Sequence, residues 1–455
     1  MLQVLKNAAY RRLFAAQVVA LLGTGLMTVS LGLLAFDLAG ADAGAVMGAA
    51  LTIKMLAYVG VAPVVNALVA RLPKKPVLIA ADLVRAAMAL CLPFISEVWQ
   101  VYAVIFVLQS ASATFTPAFQ SLIPAVLEDE GDYTRALSLS RLAYDLEALA
   151  SPAVAALLLG VVSYSSLFVG TGGGFLFSAA MVVLAVLPAA GRPAPARPAA
   201  GRPAPARPAP TPPQRSTRTP APASSATASL WHRTTLGARI FWREPRLRAL
   251  LALNLAVSAP TALVLVDSVV VVREVLRRPE TDLALALASF GVGSMAVALA
   301  APRVLERAGD RAVMLAGAAL LPAALAAATA LLSLPPGAAT WGWLLALWLL
   351  LGAGTALILT PSARLLRAAS TEETRPYVFT AQFSLSHACY IISYPVAGSL
   401  GAAAGLGTAS LALAILAMLG AAGAFLSWPR PAAEEAGPEG GRSGEPAEPR
   451  SRRGR

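Results

Sequence analysis

Charged residues are scarce in this sequence. Only 13% of its 455 residues are Asp, Glu, Lys or Arg, whereas 57% are hydrophobic. A soluble domain normally carries about 25% charge, so this composition argues against a soluble protein. The run from residue 312 to residue 363 contains no charged residue at all. Because a bilayer core needs about 20 apolar residues per helix, such runs predict transmembrane helices.

Cysteine, histidine and lysine are also rare. The two cysteines, Cys91 and Cys389, fall in separate apolar runs, which argues against a disulfide framework. None of the four lysines follows a glycine, and "GTGGGF" at 170–175 is not followed by Lys-Ser or Lys-Thr. A phosphate-binding P-loop is therefore missing. We expect no ATPase and no cofactor, and an ion gradient as the source of energy.

Short polar patches divide the apolar sequence into twelve predicted transmembrane helices, which we number as spans one to twelve. The spans are placed at residues 13–36, 43–67, 76–95, 99–121, 135–160, 165–188, 247–271, 281–301, 312–333, 340–363, 377–400 and 403–427. The first span is longer than a signal-peptide core and a second span follows almost at once, so we interpret it as a retained helix. The predicted fold class is an all-α membrane protein.

Basic residues predict the orientation, because they favour the cytoplasmic side of a membrane. With an even number of spans, most of the basic residues between the spans fall on one side, and both termini lie on that side. The net charge of +12 is then largely a cytoplasmic bias and does not indicate a nucleic-acid partner. We expect a multi-pass protein of the bacterial inner membrane with both termini in the cytoplasm.

Composition also divides the chain into five segments. "AGRPAPARPA" occurs at 190–199 and again at 200–209, and this Pro/Ala density favours extended, unpacked chain. The segments are an N-terminal half at 1–188, a disordered cytoplasmic linker at 189–228, an interfacial helix at 229–246, a C-terminal half at 247–428 and a disordered tail at 429–455.

The two six-span halves resemble each other. "FTPA" at 115–118 matches "LTPS" at 359–362, and "SPAVAALLLG" at 151–160 matches "YPVAGSLGA" at 394–402. "RRLFAAQ", ending at Gln17, parallels "LRALLALN", ending at Asn254. Parallel repeats of this kind build transporters with a midplane site between the halves. Proline can be accommodated as a kink in membrane helices, and the predicted kinks are Pro117, Pro152, Pro361 and Pro395.

These motifs make the chain similar to the major facilitator superfamily. "IAADLVRAA", "FTPAFQSLIPAVL" and "RALSLSRLAYDLEALASPAVAALL" resemble the drug-efflux branch that includes macrolide exporters. "AAQVVALLGTG", "IKMLAYVGVAPV" and "FSLSHACY" look closer still to the nickel-resistance permeases of that branch. The resemblance implies twelve helices in two six-helix halves, alternating access, and contact between spans two and eleven.

The sequence departs from the family pattern at three places. The loop between spans two and three reads "NALVAR" and lacks the usual acidic residue, so its gating residues would be Arg71, Lys74 and Lys75. Gln109 stands where many proton antiporters carry an arginine, and it becomes a candidate for binding substrate. The tail contains no histidine, unlike that of many nickel-resistance relatives, which weighs against a metal substrate.

Charged residues within the spans are the strongest functional candidates, because each costs roughly 2.5–3.5 kcal/mol on insertion scales. Arg141 and Asp145 lie four residues apart and can pair on one helix face. Our candidates for proton coupling are Asp145, Glu147, Arg141 and Lys54, with structural packing as the alternative. Asp267 joins Gln17, Asn254 and Gln109 as a candidate for binding substrate.

His387 lies in the stretch "QFSLSHACYIISYP" of span eleven. Residues two apart on a helix point in nearly opposite directions, so His387 and Cys389 cannot hold one ion together. Histidine is a good nickel ligand and titrates near neutral pH. His387 is therefore the one candidate metal ligand, and a structural hydrogen bond to a neighbouring helix is the alternative.

Three hypotheses about function follow. The leading one is a monomeric proton antiporter that exports a divalent metal such as nickel or cobalt by alternating access. The second is an exporter of hydrophobic, macrolide-like drugs or a secreted metabolite. The third, from another class, is a membrane scaffold or sensor that transports nothing. We find no catalytic constellation that would favour a membrane enzyme.

Overall fold

The computed structural model describes residues 2–61, 72–127, 151, 153–185, 236–371 and 374–428, together with the isolated positions 132, 136, 139, 140, 143 and 147. Several predictions lie outside these residues. They concern Arg71, Arg141, Asp145, Pro152, the linker at 189–228 and the tail at 429–455.

Every regular element in the described part of the chain is a helix. The long helices are Ala8–Ala39, Ala43–Leu56, Lys74–Cys91, Val98–Val126, Tyr164–Leu184, Pro245–Ala262, Glu280–Leu331, Ala338–Ala368, Arg375–Ala404 and Leu406–Ser427. Residues 236–243 form a short helix, and 3-10 turns occupy Leu2–Lys6, Gly40–Asp42 and Leu92–Phe94. Span two continues as a π-helical turn at Ala57–Val61, and span seven continues through Leu263–Asp267, Ser268–Val270 and Val271–Val275.

These helices confirm the predicted fold class. Among the described residues, nine helical segments are long and apolar enough to cross a membrane, and the one from Ala8 to Gly60 contains both span one and span two. Span eleven, at Arg375–Ala404, is a helix of sufficient length but is not among the nine. Polar side chains such as His387, Tyr390 and Tyr394 lower its hydropathy. Span five is described only at isolated positions and at 153–159, where it is helical.

Spans eight and nine depart from the predicted boundary. The sequence predicts a loop through the charged patch at 302–311, but helix Glu280–Leu331 runs across it and is interrupted only at Gly309 (φ 73°, ψ 161°). A positive φ of this kind favours glycine, which has no Cβ to clash. One glycine therefore turns the chain between the two spans, and most of the charged residues around it stay helical.

Local sequence signals explain where two of the helices begin. The side chain of Asn7 accepts hydrogen bonds from the backbone N–H groups of Ala9 and Tyr10 and caps span one. Glu97 and Gln100 form a reciprocal capping box at the start of span four. Both devices satisfy N–H groups that have no partner within the helix.

Small residues lie between the helices, whereas large apolar residues cover the outside. Phe94, Leu157, Leu299 and Leu426 are each at least 70% exposed, as expected for side chains that face lipid acyl chains. Between spans eight and ten, a Cβ on Gly293 would lie 1.9 Å from the carbonyl oxygen of Leu349. Close backbone approach at small residues is the usual way in which membrane helices associate.

The predicted internal repeat has a counterpart in polar contacts between spans. Ser140 of span five donates a hydrogen bond of 3.0 Å to Gln17 of span one. In the second half, Asn254 of span seven and Gln382 of span eleven exchange two amide hydrogen bonds of 3.1 Å. Spans one and five thus correspond to spans seven and eleven, and the same pair of helices is joined at a similar position in each half.

Spans two and eleven meet across the junction between the halves, as the family resemblance implies. A Cβ on Gly48 would lie 2.7 Å from the carbonyl oxygen of Tyr394, and one on Gly398 would lie 2.3 Å from that of Gly44. The two backbones are therefore in direct contact. We call this contact, together with Gly401, the glycine seam.

Candidate functional site

The half-buried ammonium group of Lys54 lies at the junction between the halves. Lys54 is in the last turn of the span-two helix, ten residues after Gly44, which is about 15 Å along a helix that rises 1.5 Å per residue. The π-helical turn that follows carries Tyr58, whose ring centroid is 5.9 Å from Lys54 Nζ. Such turns occur frequently at functional sites, and this one places Tyr58 beside Lys54.

The carboxylate of Glu147 faces the same region from span five. Its charge acts electrostatically on that of Lys54. A Cβ on Gly25 of span one would lie 2.7 Å from Glu147 Oε1. A glycine at this position therefore leaves room for the carboxylate between spans one, two and five.

Span eleven contributes His387 from the other half. His387 Nδ1 is 2.7 Å from the carbonyl oxygen of Phe383; we assign the proton to Nδ1, as the donor in this bond, which leaves Nε2 without it. The imidazole centroid is 4.1 Å from the ring of Phe383, 5.7 Å from that of Tyr58 and 6.4 Å from that of Tyr390. The ring of Tyr58 thus links span two to span eleven.

We call Lys54, Tyr58, Glu147, Phe383 and His387 the junction cluster. Each of its side chains is only partly buried or exposed, although each lies well inside a predicted span. Polar and aromatic side chains are therefore accessible at membrane depth. The cluster combines a cation, a carboxylate, an imidazole and aromatic faces, so it can exchange protons and can bind an apolar or positively charged molecule.

A buried ion pair lies behind this cluster. Arg85 and Asp82 of span three form a salt bridge, and Asp82 also accepts a hydrogen bond of 2.7 Å from Ser178. The Arg85 guanidinium lies 4.1 Å from the ring centroid of Phe115 and 4.5 Å from that of Phe175. The pair is thus enclosed between two aromatic rings and makes a structural contact within the N-terminal half.

The structure brings some of the other predicted residues together and separates the rest. The hydroxyl of Tyr58 is 3.5 Å from Gln109 Oε1, at the limit of a hydrogen bond, so Gln109 lies beside the junction cluster. Gln17 and Asn254 use their amides in the contacts between spans described above. Asp267 lies at the glycine seam instead, with Oδ1 2.8 Å from the position of a Cβ on Gly44.

The predicted gating loop is described only in its second part. Lys75 Nζ donates hydrogen bonds of 2.7 and 2.9 Å to the carbonyl oxygens of Val183 and Ala185, at the end of span six. Lys74 is the first residue of helix Lys74–Cys91. Pro117, Pro361 and Pro395 all lie within continuous helices.

Sequence reasoning missed two features. Tyr58 was not considered because nothing in the sequence announces a π-helical turn. The second feature lies in the loop between spans eight and nine, which corresponds in the second half to the loop between spans two and three. This loop does contain an acidic residue, whereas the loop between spans two and three lacks one. There, Asp310 pairs with Arg364 of span ten at 3.5 Å, and its neighbour Gly309 could have signalled the turn.

Two matching sets of helices around a half-buried charged cluster define a secondary transporter. The chain belongs to the Major Facilitator Superfamily, whose family model matches residues 13–276 and 269–453. This match confirms the predicted fold of two six-helix halves.

Two curated relatives are bacterial efflux proteins. Macrolide efflux protein A of Enterococcus faecalis is 28% identical over 155 residues, which cover 32% of this chain and 48% of the relative. Macrolide efflux protein A of Streptococcus pyogenes is 26% identical over 184 residues, covering 39% and 45%. The chain thus matches about half the length of these relatives.

Solved structures share the fold at low identity. A bacterial homolog of the human lysosomal transporter Spinster has a TM-score of 0.65 at 12% identity, over 92% of this chain and 96% of that one. The nucleoside transporter NupG has a TM-score of 0.63 at 12% identity, over 92% and 98%. A POT family transporter in complex with a thioalcohol-conjugated peptide has a TM-score of 0.64 at 10% identity, over 91% and 96%.

Proposed function

We propose that this chain exports hydrophobic compounds across the bacterial inner membrane in exchange for protons, by alternating access. The observation that carries the proposal is the placement of the partly buried Lys54 and Glu147 at the junction between the halves, with Lys54 Nζ 5.9 Å from the ring of Tyr58 and Glu147 Oε1 2.7 Å from the position of a Cβ on Gly25. His387 and its aromatic neighbours face this pair from the second half. The distribution of basic residues supports a cytoplasmic location for both termini.

Proton exchange at Glu147 would change the charge balance of the site. With Glu147 ionised, the carboxylate and the Lys54 ammonium compensate each other. When Glu147 takes a proton, the ammonium loses its counter-charge in a region of low dielectric, which is costly. Protonation therefore favours whichever conformation hydrates Lys54, and this preference links proton binding to a change of access. Asp145 and Arg141 of the same span remain candidates for the same role.

The substrate class follows from the walls of the site. Tyr58 and Phe383 offer aromatic faces to an apolar body, and the Glu147 carboxylate can balance the charge of an amine. A macrolide combines these properties, since it is a large apolar ring carrying an amino sugar. The two relatives named as macrolide efflux proteins support this choice of substrate.

A nickel or cobalt substrate has less support. Among the residues that the structure describes, there is no group of three or more His, Cys, Asp or Glu side chains that could hold a metal ion. His387 is the one imidazole in the junction cluster, and Lys54 acts on it electrostatically. A charged ammonium would repel a divalent cation at that position, so the metal hypothesis ranks second.

Transport into everted membrane vesicles tests the proposal. We expect labelled erythromycin to accumulate when respiration acidifies the vesicle lumen, and the accumulation to collapse when nigericin removes the pH gradient. Glu147→Gln should reduce the gradient-driven accumulation at least tenfold, whereas Glu97→Gln, at the exposed start of span four, should leave it unchanged. Full accumulation by Glu147→Gln would refute the assignment of Glu147.

The same vesicles distinguish the rival substrates and the rival class. Accumulation of radioactive nickel without accumulation of erythromycin would favour the metal hypothesis and count against the aromatic site as a drug site. If neither compound accumulates although the protein is present in the membrane, the scaffold or sensor hypothesis gains support. Neutralising Lys54 or Glu147 would then have no effect on the cellular phenotype.

A further inference from the structure

Asp267 is a carboxylate in the interior of span seven that the junction cluster does not include. It is 0% exposed, and neither of its oxygens has a hydrogen-bond partner among the described residues. Its neighbour Ser268 accepts a hydrogen bond of 2.8 Å from Trp348 of span ten and makes none to the Asp267 carboxylate. A buried carboxylate without partners is costly when ionised, and its retention calls for an explanation.

The carboxylate points into the glycine seam. Oδ1 lies 2.8 Å from the position of a Cβ on Gly44 of span two and 3.2 Å from that of a Cβ on Gly401 of span eleven. Methyl groups at these two glycines would therefore press on the carboxylate. The π-helical turn Leu263–Asp267 ends at this residue and places it between the two spans where the halves close on each other.

Charged groups do not compensate Asp267 in this arrangement. Toward the same end of the elements packed around it, the titratable groups are Asp42 next to span two, Glu280 and Asp282 on span eight, and Arg273 and Glu274 on its own span. Lys54 of span two and His387, Cys389, Tyr390 and Tyr394 of span eleven lie further along their helices, and Arg246, Arg248, Arg375 and Tyr377 lie near the opposite end. Span twelve, at Leu406–Ser427, contains none. Asp282 pairs with Arg278, and Arg273 donates to the carbonyl oxygen of Arg278.

We propose that Asp267 is a proton-binding site that locks the glycine seam. A hydronium ion arriving at this end of the bundle gives its proton to one carboxylate oxygen and leaves as water. The neutral carboxyl group then fits between Gly44 and Gly401, and spans two, seven and eleven close over it. Loss of the proton to water leaves a carboxylate that must be hydrated, so the seam has to open.

We call this proton-dependent closure of the glycine seam the latch. Its role in transport rests on the proposed function. Predicted orientation places the seam on the outer side, where an antiporter takes up protons. Closing the outer side after proton uptake is the step that returns an empty exporter to the inward-facing conformation. Asp267 would thus sense protons at the seam, whereas Glu147 would exchange them at the substrate site near Lys54, which lies about 15 Å from Gly44 along span two.

The test is a distance measured between spin labels at the seam end. The labels are attached to Ser163→Cys, in the loop between spans five and six, and to Leu334→Cys, in the loop between spans nine and ten, with Cys91 and Cys389 replaced by serine and alanine. Double electron–electron resonance is recorded at pH 5 and at pH 9. We expect a short distance at pH 5 and an added, longer one at pH 9.

The variants separate the latch from other effects of pH. Asp267→Asn should keep the short distance at both pH values, whereas Asp42→Asn, an exposed carboxylate at the same end, should respond like the unmodified chain. Gly44→Ala should show the longer distance already at pH 5, because its methyl group would displace Oδ1. An unmodified chain without a pH response, a response that persists in Asp267→Asn, or a short distance in Gly44→Ala would each overturn the latch.

Failure of the latch is distinguishable from failure of the proposed function. Glu147→Gln should keep the pH-dependent distance while it loses transport. If the latch is wrong and the exporter right, the distance ignores Asp267 but transport still depends on Glu147. If the exporter proposal is wrong and the latch right, the distance still depends on Asp267, but no transport that depends on Glu147 is seen.

Discussion

The junction cluster and the glycine seam each contain a carboxylate within a membrane span, and they accommodate it in opposite ways. At the cluster, the charge of Glu147 is set against that of Lys54, and both groups remain partly accessible to water. At the seam, Asp267 is completely buried and has no partner among the described residues. A carboxylate beside a cation can gain or lose its proton while its site is open, whereas an unpaired one has to gain a proton before its site can close.

The largest expected effect comes from breaking the pair on one side only. Lys54→Leu leaves Glu147 without its counter-charge and should destabilise the protein by about 3 kcal/mol, which is the lower end of the range for a fully buried pair because both groups are only partly buried here. Lys54→Leu combined with Glu147→Leu should recover most of that stability but no transport. Thermal unfolding in detergent measures these variants together with Glu147→Leu alone, and single losses that simply add in the double variant would show that the two groups do not interact.

The next largest effect concerns the contact of backbones at the seam. Gly398→Ala would place a methyl group 2.3 Å from the carbonyl oxygen of Gly44, and overpacking of this kind costs about 1–3 kcal/mol. The control is Gly173→Ala in span six, where no atom lies within 4 Å of the new Cβ. A loss of stability no larger for Gly398→Ala than for Gly173→Ala would contradict the close approach of spans two and eleven.

A smaller effect is expected from the amide pair that joins spans seven and eleven. Asn254→Ala should cost about 0.6 kcal/mol, the average for hydrogen bonds between membrane helices. Gln17→Ala should cost a similar amount, because Gln17 makes the corresponding contact in the first half. In a double-mutant cycle, the losses of stability caused by Asn254→Ala and Gln382→Ala should not add. Additive losses would mean that the two amides act independently.

The smallest change in stability is expected for Asp267→Leu. No partner in the described structure loses a hydrogen bond, so the unfolding temperature should stay the same or rise, in contrast to Lys54→Leu. The measurement is the same thermal scan, at pH 7. A loss as large as that of Lys54→Leu would show that Asp267 has a partner and would remove the distinction between the two regions.

The membrane helices could be predicted from the sequence because apolar runs of sufficient length have few other stable states. The internal repeat was visible for a similar reason, since Gln17 and Asn254 occupy matching places in matching spans. The boundary between spans eight and nine could not be predicted from charge, because the charged residues at 303–311 are themselves good helix formers. Only the positive φ of Gly309 ends the helix there.

The candidate site could be predicted from the sequence only in part. Lys54, Glu147 and His387 are conspicuous as polar residues in apolar runs, but their juxtaposition depends on which spans touch. The role of Tyr58 could not be predicted, because its position depends on the π-helical turn. That turn arises from packing rather than from any local signal. The sequence suggests a substrate contact for Asp267, whereas its position between Gly44 and Gly401 depends on how spans two, seven and eleven cross.

Proton release on substrate binding tests the central claim most directly, because it requires neither a membrane nor a gradient. Purified protein in weakly buffered detergent solution near neutral pH is mixed with erythromycin, and the change in pH is recorded. We predict that the unmodified protein and Asp267→Asn release protons, whereas Glu147→Gln releases none. Binding without proton release by the unmodified protein, or undiminished release by Glu147→Gln, would contradict the account.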